Sequence, residues 1–225
     1  MKLIKKVPLL IIVFLSAMPL LAQNDAQRIV AGAENQLSQL LNHPAMTKPA
    51  VAEPLGRNWF RLETDAHVFT DEVSLEQVKT VLLDINNYNV YFDGRRSKLQ
   101  VHGINRTANE SIVDFISIMT AGPLQLRTPY NASVTTVMNT DTRLGINVRQ
   151  TPHDNNSNSK IKNLLAQRYA EEVTIGGKKY VYIRFYTIND VDASILPGAR
   201  GVLERNSAPV NQEAIQLLIN AAKTK

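Results

Sequence analysis

The residues able to do chemistry are few, and their spacing excludes most catalytic designs. The 225-residue chain has no cysteine, which removes thiol nucleophiles, thiolate metal sites, a disulfide framework and a lipidated cysteine anchor together. Its histidines, His43, His67, His102 and His153, never stand at i, i+4, and no H-E-x-x-H occurs. No metal site is expected from that spacing. There is no G-x-S-x-G elbow for a serine nucleophile. "GGKK" at 176–179 lacks the spacing of a phosphate-binding loop, and "PGARG" at 197–201 lacks the third glycine and the preceding strand of a dinucleotide turn.

Two features remain. Asp114, in "SIVDFISIM", sits between apolar residues. If Ile112, Ile116 and Ile118 face inward, so does Asp114, and a buried carboxylate needs a partner or a raised pKa. If Val113, Phe115 and Met119 face inward, Asp114 is solvated, and the balance favours this reading. The second feature is "YVYIRFY" at 180–186, with Val181, Ile183 and Phe185 on one face and Tyr180, Tyr182, Arg184 and Tyr186 on the other. The tyrosines either shield an outer sheet surface or form an aromatic patch for a partner or lipid surface.

The elements that carry these residues are well marked. "FRLETDAHVF", from Phe60, alternates with period two: Phe60, Leu62, Ala66 and Val68 oppose Arg61, Glu63, Asp65 and His67. A helix follows, with a Ser74–Gln77 capping box, a Val73–Val78 staple and an apolar stripe of Leu75, Val78, Leu82 and Ile85. Asn86-Asn87 is suited to a left-handed stop. After the aromatic break "NNYNVYFDG", strands are expected near 97–104, 111–120, 126–138, 143–150, 164–175 and 178–189. Gly176-Gly177 joins the last two as a hairpin. The final "VNQEAIQLLINAAK" is an amphipathic helix, with Pro209 placed in its first turn. Upstream, 24–42 has helical spacing, and Pro44, Pro49 and Pro54 break the segment after it into an extended linker.

The N-terminus reads as an address. Three lysines in Met1–Lys6 precede an apolar run to Ala22, the pattern of a secretory leader cleaved after Ala22. The competing reading is a retained membrane anchor, disfavoured by the run's shortness and by Pro8 and Pro19. Removing Lys2, Lys5 and Lys6 would lower the net charge from +5 to about +2, too little to suggest nucleic acid as a partner. Export without disulfides suits a bacterial periplasm.

The order strand, short helices, six strands, helix argues for an α+β fold. From about Arg57 to Lys223 the chain resembles the START-like, polyketide cyclase and lipid-transport superfamily. "SLEQVKTVLLDINNYNVYFDGRRSKLQV", "GGKKYVYIRFYTI" and "PVNQEAIQLLINAAK" carry the resemblance. It implies a helix-grip fold: a curved seven-stranded antiparallel sheet wrapped around a long C-terminal helix, with two short helices after the first strand. The domains would be a leader at 1–22, a leading helix and Pro-rich linker at 23–56, and the START-like domain at 57–225. The resemblance implies a hydrophobic small molecule or lipid held between sheet and helix without a resident cofactor, and is compatible with transient membrane contact. Leu144, Ile146, Val148, Val181, Ile183, Phe185, Ile215 and Leu218 are the expected lining. Two alternatives stay open: a cyclase- or dehydratase-like enzyme, for which Asp114 and the arginines are the only candidates, and a protein-interaction module built on the leading helix and tyrosine face.

Overall fold

The structure, a computed structural model, describes residues 37–107, 110–151 and 159–225. The expected leader and most of the leading helix lie outside the described residues. The strands are β1 (Ala45–Met46), β2 (Val51–Gly56), β3 (Trp59–Thr70), β4 (Ser97–Arg106), β5 (Ser111–Ala121), β6 (Leu124–Thr140), β7 (Arg143–Gln150), β8 (Ile161–Ile175) and β9 (Lys178–Asp192). The helices are α1 (Leu37–Leu40), α2 (Leu75–Leu83), α3 (Tyr88–Tyr91) and α4 (Ala199–Ala222). All strands join one nine-stranded sheet in the order β1-β3-β9-β8-β7-β6-β5-β4, with β2 also paired to β3. Every pairing is antiparallel.

Helix α4 packs against β1, β2 and β3 at one end of the sheet and against β4 and β5 at the other. A flat sheet cannot present both ends to one helix, so the sheet curls around it. Its C-terminal half is the anchor: Ile215, Leu218, Ile219 and Ala222 are fully buried. Each of the three larger side chains contributes roughly 2 kcal/mol by leaving water.

The sequence expectations hold for the seven longer strands, and three details differ. First, the segment read as a linker is part of the sheet: β1 and β2 pair along one edge of β3, and Ala52 is fully buried. Prolines exclude a central strand but not an edge, because an edge strand has one side free of ladder bonds. The sheet therefore has two strands more than expected. Second, Asn86-Asn87 does not stop α2 in a left-handed conformation. The helix is capped by Asp84 and runs through a 3₁₀ turn, Ile85–Asn87, into α3. Asp84 Oδ2 fixes that turn by accepting from Asn87 Nδ2 and Tyr91 Oη, each at 2.7 Å. Third, α4 begins at Ala199, so Pro209 lies inside it. The amide that Pro209 lacks is one α-helical bond lost. Around it, Asn206, Ser207 and Asn211 donate to the carbonyls four residues earlier, at 2.8, 2.6 and 2.8 Å.

The start of α2 is as its sequence dictates. The Gln77 amide donates to Ser74 Oγ at 3.2 Å, and the Ser74 amide to Gln77 Oε1 at 2.8 Å. The β8–β9 hairpin turns on Gly176 and Gly177 at φ 57° and 79°, a region costly for any residue with a Cβ.

The outer face of the sheet is a second core rather than a solvated surface. Phe69, Tyr169, Val173, Ile175, Tyr180 and Tyr182 cluster there beneath Leu37, Leu40 and Leu41. Tyr182 is fully buried, and its ring meets Phe69 at 5.0 Å and His67 edge-on at 6.0 Å. Charged groups on this face are paired: Arg184 grips Asp65 through Nε and Nη2 at 2.8 and 2.7 Å, and Arg143 Nε bonds Glu171 at 2.8 Å. The described part of the leading segment thus docks on its own domain, and Tyr180 and Tyr182 offer no exposed platform.

Candidate ligand cavity

The inner face can be followed row by row across the sheet. Val68, Ile183, Ala170 and Leu144 stand side by side on β3, β9, β8 and β7. All four are fully buried, in the core that also holds Ile215 and Leu218. Two residues further along the strands comes the row Ala66, Phe185, Arg168, Ile146, and after it Thr64, Thr187, Ala166, Val148. Here the sheet and the N-terminal half of α4 no longer touch throughout. A cavity of about 200 Å³ opens between them, lined on the helix by Leu203, Ser207, Val210, Asn211 and Ala214.

The remaining walls come from the helical segment between β3 and β4 and from the far strands. Phe115, Ser117 and Met119 of β5 and Leu126, Thr128 and Tyr130 of β6 form the wall opposite β9. Phe115 and Tyr130 are cross-strand partners and stack at 5.5 Å. Leu82, Tyr88 and Phe92 close one end, with Tyr88 and Phe92 edge-to-face at 4.9 Å. The aromatic break "NNYNVYFDG" is therefore the end wall: its turns are pinned by Asp84 and by Tyr88 Oη donating to Leu82 O at 2.6 Å.

Helix α4 is held over this space by Glu213. Its carboxylate accepts from the amides of Arg95, Arg96 and Ser97 at 3.1, 2.7 and 2.7 Å, tying the helix to the entry of β4. Gly94 leaves room for the same contact: a Cβ there would sit 2.7 Å from Glu213 Oε2 and 2.8 Å from Leu217 Cδ1 and would push those side-chain ends aside.

Most of the lining is apolar, but two charged side chains, Arg168 and Lys98, stand in it. Arg168, on β8, lies over the Phe185 ring with its guanidinium carbon 4.3 Å from the centroid. Its Nη1 donates to Gln167 O at 3.1 Å, Tyr186 O at 3.2 Å and Thr187 Oγ1 at 3.3 Å. Burial pulls its pKa below the usual arginine value, partly offset by the nearby Tyr130 and Tyr88 hydroxyls. Burial also pushes both of those phenols up. The accessible surface that Arg168 retains borders the cavity, because Phe185 and Ile146 across the sheet and Ala166 and Ala170 along β8 are all buried. Lys98 also lines the cavity and is paired with Asp93 at 2.6 Å. No Asp, Glu or His is among the described lining residues.

Of the residues expected to line a cavity, Ile146, Val148 and Phe185 do so. Leu144, Val181, Ile183, Ile215 and Leu218 do not; they belong to the closed core. Alternation says which way a side chain points and not how far the opposing helix stands off, so residues of one inner face divide between core and cavity wall. Asp114 is exposed, its neighbours Val113 and Phe115 are buried, and its carboxylate accepts from Asn131 Nδ2. It takes no part in the cavity. Arg168 was missed, though Leu164, Ala166, Arg168 and Ala170 alternate in phase, which places a charge on the apolar side of β8.

No family model matches the chain, and no curated protein matches it. Among solved structures, the chain is similar in shape to a STAR-related lipid transfer protein from Xanthomonas axonopodis. That likeness has 12% identity and a TM-score of 0.47, over 78% of this chain and 99% of that one. It is similar also to the human StarD13 (DLC2) lipid transfer and protein localization domain, at 8% identity and a TM-score of 0.47, over 86% of this chain and 95% of that one. At these values the likeness concerns the course of the chain alone, and the α+β sheet-and-helix architecture stands on its own strand order and register.

Proposed function

We propose that this protein binds a hydrophobic small molecule or lipid in the cavity between the sheet and α4. The observation that carries the reading is the cavity itself: a space of about 200 Å³, walled mainly by aliphatic and aromatic side chains and ending against a closed core. Pockets of this make-up take apolar guests, with a few polar groups setting orientation. An enzymatic reading gains nothing from the lining, since Asp114 lies outside it and the two phenols are held protonated.

The test is to fill the space. Ala166 is buried on the cavity wall, level with Thr187 and Val148. Ala166→Phe should leave the melting temperature within a few degrees and reduce uptake of a neutral naphthylamine dye by tenfold or more. Saturable one-to-one dye binding is expected of the parent protein; an unaltered dye affinity in the variant would place the dye elsewhere and sink the reading.

The same proposal includes export: removal of Met1–Ala22 would deliver the domain to a periplasm, where it would carry its ligand in the aqueous phase. The intact mass of secreted material should correspond to a chain beginning near Gln23. A mass that still contains the leader would make the protein membrane-tethered instead.

A further inference from the structure

Three other arginines of the sheet meet a carboxylate through the Nε side of the guanidinium. Arg61 holds Asp190 through Nε and Nη2 at 2.9 and 3.2 Å, and Arg184 holds Asp65 through the same edge at 2.8 and 2.7 Å. Arg143 reaches Glu171 through Nε. The Nε–Nη2 edge of a guanidinium presents two parallel N–H groups that match the two oxygens of a carboxylate. Arg168 departs from the pattern. All three of its hydrogen bonds leave from Nη1, and among the described residues neither Nε nor Nη2 meets an acceptor.

The departure is costly for the protein alone. Taking a guanidinium out of water costs several kcal/mol unless a counter-charge and hydrogen bonds replace the lost hydration. Two backbone carbonyls, one hydroxyl and the face of Phe185 supply part of that replacement. No carboxylate forms an ion pair with Arg168 among the described residues. Its surroundings offer instead two neutral phenols, Tyr130 and Tyr88, and the open cavity. A side chain of Leu or Met would fill the same place without that cost.

We propose that the ligand is an anionic amphiphile whose carboxylate docks on the Nε–Nη2 edge of Arg168, with its apolar chain lying along the cavity toward Met119, Leu126 and Leu203. This inference rests on the cavity reading and refines it: the cavity supplies the affinity for the chain, and Arg168 selects the acid. Arg168 sits in the row that borders the closed core, so the head group enters first and the chain follows toward the N-terminal half of α4. Thr187 Oγ1 already accepts from Nη1 and so helps to hold the guanidinium in place.

Titration calorimetry of the purified full chain with dodecanoate, methyl dodecanoate and dodecanol separates the two layers of the argument. Dodecanoate should bind about tenfold or more tightly than the ester and the alcohol, the range expected of a charge-assisted bidentate contact. Arg168→Met should reduce dodecanoate to the affinity of the ester and leave the ester within about twofold of its parent value. Arg168→Lys should retain part of the preference and lose the rest, because a point charge lacks the two-pronged edge. Equal affinity for acid and ester in the parent protein overturns the anionic-ligand proposal and leaves the cavity reading standing. An Arg168→Met variant that loses acid and ester alike shows a structural arginine and overturns it too. If none of the three binds to folded protein, the cavity reading itself falls and takes the proposal with it. Should Arg168→Met fail to fold, the parent's acid-to-ester ratio and the Arg168→Lys variant decide alone.

Discussion

His67 is the residue whose environment makes stability depend on pH. It lies opposite Arg184 on the outer face of the sheet, beside Asp65 and edge-on to Tyr182, and Nδ1 has no hydrogen-bond partner among the described residues. Burial lowers its pKa below the ordinary 6.5; Asp65 opposes that effect, and Arg184 adds to it. The unfolded chain therefore takes up a proton at a pH where the folded chain does not. The stability due to neutral His67 is complete above 6.5 and is lost as pH falls toward the folded value. Melting temperature should fall as pH drops below about 6.5, and His67→Phe should flatten that slope. The carboxylates with lowered pKa, Asp71, Asp84, Asp192 and Glu204, act below their ordinary values of 3.8 and 4.5 and do not share this window. An equal slope in His67→Phe would assign the effect to another group.

Among the elements, α4 has the most to lose from a single contact. Its C-terminal half is anchored by buried aliphatics, whereas its N-terminal half spans a cavity and gains little from the sheet beneath it. Glu213 stands at the boundary and ties the helix to three backbone amides before β4. Glu213→Ala removes the acceptor from all three and should cost about 1–3 kcal/mol in chemical denaturation. Glu213→Gln should recover part of the loss, since one amide oxygen can still accept. Hydrogen exchange at Arg96 and Ser97 would rise in the alanine variant ahead of global unfolding. A loss below about 0.5 kcal/mol would mean that water replaces the carboxylate without penalty.

For the molecule as a whole, the division between core and cavity makes two similar substitutions behave differently. Ile183 and Ala166 both face inward on adjacent strands, one row deep in the core and one on the cavity wall. Ile183→Trp puts added volume where Val68, Ala170 and Leu144 already close the space, and should cost roughly 1–3 kcal/mol. Dye affinity per folded molecule should stay near the parent value. A thermal melt and a binding titration on the same sample check both halves. A variant that melts normally but excludes the dye would extend the cavity a row deeper than its walls stand here.

Several parts of this arrangement were legible from residues alone. The Ser74–Gln77 box, the Gly176-Gly177 hairpin and the alternation of β3 and β9 are local: each is settled by hydrogen bonds or side-chain parity within a few neighbours. Local rules also set their own limits. Pro54 forbids a central strand and leaves an edge strand open, and Pro209 can stand within a helix whose neighbouring side chains bond back to its carbonyls. Parity placed Ile183 and Phe185 on the same inner face, yet one is core and the other cavity wall. That distinction depends on the gap between two layers, and the gap is set by where Glu213 and the buried end of α4 fix the helix against distant strands. The polar side of β3 and β9 was equally beyond reach. Asp65, His67, Tyr182 and Arg184 read as solvent-facing by alternation, and only the return of Leu37, Leu40 and Leu41 across the sheet turns that surface into a second core. Sequence determined which elements form and which way their side chains point; tertiary packing decided which of those faces meet another layer, and how closely, because that distance is set by residues far apart in the chain.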